Sequence, residues 1–359
     1  MSALLGLFGR TEGGPMAAAL ERLRHKRDLE APEMAEVMES VAGGLCSDDE
    51  IERFLLLLRE KGETVEEITA AARVMRGHAV KLSREYPDLL DTCGTGADSS
   101  GTLNVSTLAS LTAAAAGVKV AKHGNRSISS VSGSADLLEA LGVKIDLEPA
   151  AVEACIEKTG FGFFFAPRFH PAMRHAAAAR KRIQGKTLFN LLGPLCNPAG
   201  ARRQVLGVYS HKLVEKIGRV LVTLGAKRAL VVHGLGPDGM DEISLCERTM
   251  TAEVANGTTN VHFVAPEDFG LRRAPADAVR VATKEQALSA ALGVLNGLEG
   301  PHSDIVCLNA GAALYTAERA ASFREGVRLS KETLGSGAAM KKLREIAAQT
   351  QGTDGVRSS

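Results

Sequence analysis

Tryptophan is absent from this 359-residue chain, and aromatic residues of all kinds make up only 4% of it. Few stacking platforms are therefore available for single-stranded nucleic acid. An excess of either charge is missing too. Lys and Arg number 43 against 42 Asp and Glu, a formal net charge of +1, so no global field draws the chain to polyanions or to an anionic membrane. Cysteine is sparse and scattered. The residues at 46, 93, 155, 196, 246 and 307 form no C-x-x-C pair and have no histidine at ligand spacing. The expectation is mostly buried thiols in a reducing compartment rather than a zinc site or a disulfide framework. No apolar run approaches the roughly 20 residues that cross a bilayer. The apolar start, Met1 to Arg10, lacks a preceding basic residue and makes a poor signal peptide. A cytoplasmic protein is expected, with neither membrane nor nucleic acid among its partners. With 45% apolar and 24% charged residues, the composition is that of a globular enzyme or binding protein.

The first 86 residues are helical in pattern. Met34, Val37, Met38 and Val41 recur at i, i+3, i+4 and i+7, and Gly43-Gly44 stops the run. Ser47 with Glu50, and Thr64 with Glu67, have capping-box spacing ahead of further apolar stripes, and Gly62 suits the end of the helix between them. After Tyr86-Pro87 the style changes. Short apolar runs are expected as strands at Leu89-Leu90, Val118–Ala121, Val143–Leu147, Phe161–Ala166, Val205–Tyr209 and Ala229–Val232. Helical patterns at about 106–116, 134–141, 150–158 and 211–224 fall between several of them. Such alternation predicts an α/β protein: a small N-terminal helical domain over 1–86, then a larger α/β domain over 87–359 with a central, mostly parallel sheet flanked by helices. Ligands of such sheets favour the carboxyl ends of the strands.

Three loops carry chemistry. The first, Asp91-Thr-Cys-Gly94-Thr95-Gly96-Ala97-Asp98, runs on through Asn104-Val-Ser106-Thr107 into a helix. Its glycines let successive N–H groups face an anion, and the helix N-terminus adds its positive end. It is neither a Walker A loop nor a Rossmann fingerprint, and by itself it could equally be a structural turn. The second, Lys122-His123-Gly124-Asn125-Arg126-Ser127-Ile128-Ser129-Ser130, offers many donors with little bulk. The third, Gly239-Met240-Asp241-Glu242, supplies adjacent carboxylates, hard-oxygen ligands of the kind that hold Mg²⁺ while phosphates complete its shell.

In combination and order these motifs resemble the anthranilate phosphoribosyltransferase family. Ser-Gly-Ser-Ala-Asp at 132–136 and Thr-Leu-Phe-Asn-Leu-Leu-Gly-Pro-Leu-Cys-Asn-Pro at 187–198 extend the match, which runs from about residue 18 to near 345. The segment before Met16 reads as an extension. A pyrimidine nucleoside phosphorylase would share the fold but carry a different Gly-rich phosphate signature. A non-catalytic relative would be favoured by loss of the Asp-Glu pair or of Arg180, and both are present.

The resemblance implies transfer of a phosphoribosyl group from phosphoribosyl pyrophosphate (PRPP) to the amine of anthranilate, in tryptophan biosynthesis. It also implies a homodimer, an active site between the two domains, and a return of part of 185–200 to the helical one. Gly94, Thr95 and Gly96 would cradle pyrophosphate, with Asp98 ordering the loop or approaching a metal-bound water. Asn104, Ser106 and Thr107 would hold phosphate oxygens, and Lys122 and Ser130 would complete the grip. Two Mg²⁺ ions would be held by Ser106, Asp241 and Glu242, with Glu242 touching both. Anthranilate would meet Gly94, Asn125 and Arg180, with His123 and His170 lining its approach. No general base is assigned, because the aromatic amine is already neutral at pH 7. The sequence departs from the family pattern at Ala97, where the phosphate loop usually has glycine.

Overall fold

The computed structural model describes residues 14–96, 101–127, 131–236 and 239–352. Its contacts divide the chain into two compact units, one holding the residues up to Ala79 together with His170–Leu192, the other Val80–Phe169 and the residues from Gly193 on.

The helical unit is built on α1 (Gly14–Arg24), α2 (Ala31–Ala42), α3 (Asp48–Lys61) and α4 (Val65–Gly77). Both expected capping boxes form. Ser47 Oγ accepts from Glu50 N and Glu50 Oε2 from Ser47 N, while Thr64 and Glu67 repeat the exchange. Four otherwise orphaned backbone donors are satisfied in this way. The helix between them ends at Gly62, whose φ of 89° a side chain would resist. The apolar stripes face inward: Met34, Val37 and Met38 on α2, Ile51, Phe54 and Leu58 on α3, and Ile68 on α4 are all buried. The segment that returns to this unit starts at His170. It is tied down where Arg59 donates to the Gln184 carbonyl (2.8 Å) and Arg182 pairs with Asp49 (2.7 Å).

In the larger unit one seven-stranded sheet holds β1 (Leu90–Gly94), β2 (Val120–Gly124), β3 (Phe161–Phe165), β4 (Arg203–Gly207), β5 (Arg228–Gly234), β6 (Thr249–Ala255) and β7 (Thr258–Val264). Its order is β3-β2-β1-β4-β5-β6-β7. The first five neighbours are parallel and the last two pairings antiparallel. The sheet is thus mostly parallel, and its strands are flanked by helices such as α5 (Val105–Ala115), which is buried nearly all round. That is the burial expected of parallel strands and the helices that cover them.

One expected strand is not there. Val143, Ile145 and Leu147 are buried in alternation, yet 143–147 pairs with no other strand among the described residues. The Val143 N–H donates to the Leu138 carbonyl and the Lys144 N–H to the Thr350 hydroxyl, so the backbone is satisfied locally and by a C-terminal helix. Its side chains fill the core as a strand's would, which is why the periodicity misled. Conversely, β6 and β7 went unexpected. They close at Asn256-Gly257, both at positive φ (52° and 74°), a type I′ hairpin signal present in the sequence but flanked by a β7 too polar and exposed to read as a strand.

Candidate active site

Three neighbouring strands, β1, β4 and β5, end on glycine at the same edge of the sheet: Gly94, Gly207 and Gly234. Over these ends passes the segment carrying Asp241 and Glu242. A methyl group on Gly94 would lie 2.5 Å from Asp241 Oδ2, and one on Gly207 only 1.5 Å from the Asp241 carbonyl oxygen. No side chain fits there. The absence of Cβ at these strand ends lets the acidic segment lie down on the carboxyl edge of the sheet.

The carboxylates then meet the first loop. Asp241 Oδ2 accepts from the Gly96 N–H (2.8 Å), and Glu242 Oε1 accepts from the Ser106 N–H (3.1 Å) at the start of α5. The first turn of α5 holds no acidic residue of its own, so the positive end of its dipole is met by Glu242. Lys122, on β2 and only 1% exposed, donates to the Thr92 carbonyl (2.6 Å) and lies 3.4 Å from Ser106 Oγ. Two backbone donors, a lysine and two carboxylates therefore converge on one spot. Thr95 holds the loop to β4 with both its groups: its N–H donates to the Gly207 carbonyl and its hydroxyl accepts from the Tyr209 N–H. Asn104 donates to the Ser132 carbonyl (2.7 Å), joining the first loop to the second. The Thr107 hydroxyl is buried with no hydrogen-bond partner among the described residues, an acceptor and donor left over for a ligand.

Behind this surface Asp91 is fully buried. It accepts from the His123 N–H (3.3 Å) and lies 3.4 Å from Gln204 Nε2. Burial raises its pKa and the Lys122 charge opposes the rise; burial likewise lowers the pKa of Lys122 and Asp91 opposes the fall. In both groups burial is the larger effect and the opposite charge the smaller. The Gly193 carbonyl, which can only accept, lies 3.1 Å from His123 Nδ1 and so sets the proton on that nitrogen. Asn125 is exposed, its Oδ1 accepting from the Arg126 N–H. His170 and Arg180 belong to the helical unit. His170 is buried there. Arg180 stacks on Phe189, with 5.0 Å from the guanidinium carbon to the ring centre, and pairs with no carboxylate among the described residues. Burial lowers its pKa, though a guanidinium stays charged. Asp98, Ser130 and Ala97 lie outside the described residues.

Among the described residues no group of three or more His, Cys, Asp or Glu gathers to cage a metal. Two adjacent carboxylates beside a serine are instead the donor set Mg²⁺ takes when phosphate oxygens complete its octahedron. The residues present thus fit a Mg²⁺ ion whose remaining ligands are phosphate oxygens.

Local sequence did not announce Gly207, Gln204 or Tyr209. Their roles come from the β1–β4 register, in which Gly94 lies opposite Gly207.

A helical bundle followed by an α/β unit, with anion donors and carboxylates at the glycine-ended strands, defines a glycosyl transferase of two-domain type. Sequence-family models match in the same order: a glycosyl transferase family helical bundle domain over residues 17–79, and a glycosyl transferase family a/b domain over 86–340. The chain is 49% identical to the anthranilate phosphoribosyltransferase of Thioalkalivibrio sulfidiphilus over 335 residues, 93% of this chain and 98% of that one. The crystal structure of the anthranilate phosphoribosyltransferase from Thermus thermophilus superposes with a TM-score of 0.86 at 44% identity, covering 93% of this chain and 99% of that chain. The Saccharomyces cerevisiae enzyme in complex with PRPP and Mg superposes with a TM-score of 0.85 at 25% identity, over 94% and 98% of the two chains. The chain belongs to the anthranilate phosphoribosyltransferase family.

Proposed function

We propose that the chain transfers the phosphoribosyl group of PRPP to the amine of anthranilate, giving N-(5-phosphoribosyl)anthranilate and pyrophosphate, as a step of tryptophan biosynthesis. The observation that carries this reading is the meeting of Asp241 and Glu242 with the Gly96 and Ser106 N–H groups beside Lys122. Anion donors already gripped by carboxylates are donors suited to phosphate oxygens.

Departure of pyrophosphate leaves a ribosyl centre of oxocarbenium character, so the chief task is to hold negative charge on the leaving group. The Gly94–Gly96 loop and the start of α5 bind that pyrophosphate, Thr95 keeping the loop's shape. Asn104, Ser106, Thr107 and Lys122 hold its oxygens, and Ser130 and Asp98 complete the site. Mg²⁺, when bound, neutralises the developing phosphate charge. Ser106, Asp241 and Glu242 are the residues that would hold it, as two ions that both draw on Glu242. With their carboxylates turned to a metal, Asp241 and Glu242 would leave the Gly96 and Ser106 N–H groups they now hold free for phosphate oxygens. Arg180 supplies a fork for the anthranilate carboxylate, and Asn125 and Gly94 orient the ring, with His123 and His170 beside it. The amine is neutral at pH 7, so orientation against the sugar carbon replaces a base. The protein works as a homodimer in the cytoplasm, and sedimentation at twice the 37.7 kDa chain mass is the check on the dimer.

The test is the decay of anthranilate fluorescence with PRPP and Mg²⁺, and with each omitted in turn; a chain without tryptophan adds little background. Decay that needs both bears the reading out. A flat trace from folded protein overturns it.

A further inference from the structure

The segment bearing the two carboxylates has no helix or strand of its own, so its placement depends on what grips its two ends. On the upstream side Met240 and Gly234 exchange two backbone hydrogen bonds, at 2.9 and 3.0 Å. On the downstream side the first grip comes from a side chain 66 residues away. Asn309 Oδ1 accepts from the Ile243 N–H (2.9 Å), and Asn309 Nδ2 donates to the Ile243 carbonyl (2.9 Å). The Ile243 nitrogen belongs to the peptide plane that joins it to Glu242, and the Ile243 carbonyl to the next plane. Asn309 therefore fixes both planes leaving Glu242, as a neighbouring strand would. It can do so because it is immobile. It is 2% exposed in the middle of the helix Pro301–Thr316, and its Nδ2 also donates to the Ile305 carbonyl one turn back (2.9 Å). Downstream, the Ser244 N–H donates to Thr249 Oγ1, so the chain is pinned again as it enters β6.

We propose that Asn309 is a positioning residue for the transfer reaction, clamping Ile243 so that the Asp241 and Glu242 carboxylates are held at the glycine ends of β1 and β4 in the geometry that receives the metal–pyrophosphate group. This rests on the reading of 239–242 as the metal-binding segment. A buried amide could instead merely satisfy its own helix, and the two roles separate in Asn309→Ser. There the hydroxyl can still bond the Ile305 carbonyl, as helical serines do, but it is too short to reach Ile243.

The probe is Mn²⁺ with pyrophosphate, followed by electron paramagnetic resonance, beside the Mg²⁺ dependence of turnover. Asn309→Ser should weaken Mn²⁺ binding and raise the Mg²⁺ concentration for half-maximal rate about tenfold or more, with the KM for anthranilate moving less than about twofold. Asn309→Asp keeps the side-chain volume and the bond from the Ile243 N–H but loses the one to the carbonyl. It should fall between wild type and serine, and it decides the matter should the serine variant not fold. A lowered melting temperature with unchanged Mn²⁺ affinity, in either folded variant, overturns the proposal. Glu242→Gln serves as the reference. If it binds Mn²⁺ and pyrophosphate as tightly as wild type, the reading of the segment itself has failed; if it alone is weakened, only the role of Asn309 has.

Discussion

Gly207 shows how strictly the site depends on a group that is missing. Because an added methyl would overlap the Asp241 carbonyl at 1.5 Å, Gly207→Ala has to lift the acidic segment off β4. Overpacking of this kind costs about 1–3 kcal/mol, and both the urea midpoint and the PRPP rate should drop; a variant as stable and active as wild type would mean the segment is free to move. Glu242 tests the opposite case, a group whose charge matters more than its shape. Gln at 242 can still accept from the Ser106 N–H. Glu242→Gln should therefore fold as wild type and hold pyrophosphate without metal, while turnover at saturating PRPP is nearly abolished; near-wild-type turnover would remove Glu242 from the metal. Arg180 stacks on Phe189 without a carboxylate partner among the described residues, and the proposed function gives its charge to the anthranilate carboxylate. Loss of one charged hydrogen-bonding group is worth about 1.5–3 kcal/mol, so Arg180→Ala should raise the KM for anthranilate about tenfold or more and leave kcat nearly unchanged. An unchanged KM would exclude it from the acceptor site.

Among elements, the second loop is tied at both ends to one carboxylate. Asp136 Oδ2 accepts from the Ser127 N–H (3.0 Å) and the Gly133 N–H (2.9 Å), closing both ends of 127–133, and Arg126 pairs with its Oδ1 (3.2 Å). Partial burial raises its pKa, but these hydrogen bonds outweigh that and leave it below the usual carboxylate value. Asp136→Ala frees both loop ends, so the KM for PRPP should rise while the KM for anthranilate stays put, and equal shifts in both would place the loop elsewhere in the reaction. The elements most legible in the sequence were those defined by local chemistry. The boxes at Ser47 and Thr64, the apolar faces of α2 to α4 and the Gly-rich turn after β1 are each written within a few residues. Alternation at Val143, Ile145 and Leu147 reported burial truthfully but could not say whether a strand partner existed. The β6–β7 hairpin was hidden because β7 is exposed along most of its length and has no apolar face to advertise.

At the scale of the molecule, what escapes a sequence reading is distance along the chain. Gly96 meets Asp241 across 145 residues and Asn309 meets Ile243 across 66, and nothing near either partner marks the other. The resemblance implied that the motif residues share one site, while the contacts that join them follow from the sheet order. The same holds for what ties the sheet to the helix bearing Asn309. Arg203, at the start of β4 and 4% exposed, donates to the Thr316 carbonyl (3.0 Å) at the end of that helix and pairs with Glu318 just beyond it. The hydrogen bond from Arg203 is the main cause that holds the Glu318 carboxyl below its ordinary value of 4.5. A carboxylate whose pKa is depressed by folding stabilises the fold fully above its unfolded pKa, and that contribution is lost as pH falls through the lower, folded value. Glu318→Gln should thus be less stable than wild type at pH 7, with the gap closing as the pH drops from about 5 toward 3. Glu318 is half exposed and solvent screens it, so the gap at neutral pH should be modest, although among the described residues Arg203 is left with only Asp88 to balance its buried charge. Urea midpoints of the two proteins across that range decide it. A gap that stays constant with pH would show that Glu318 acts by packing alone, and a gap that widens in acid would reverse the assigned direction of its shift.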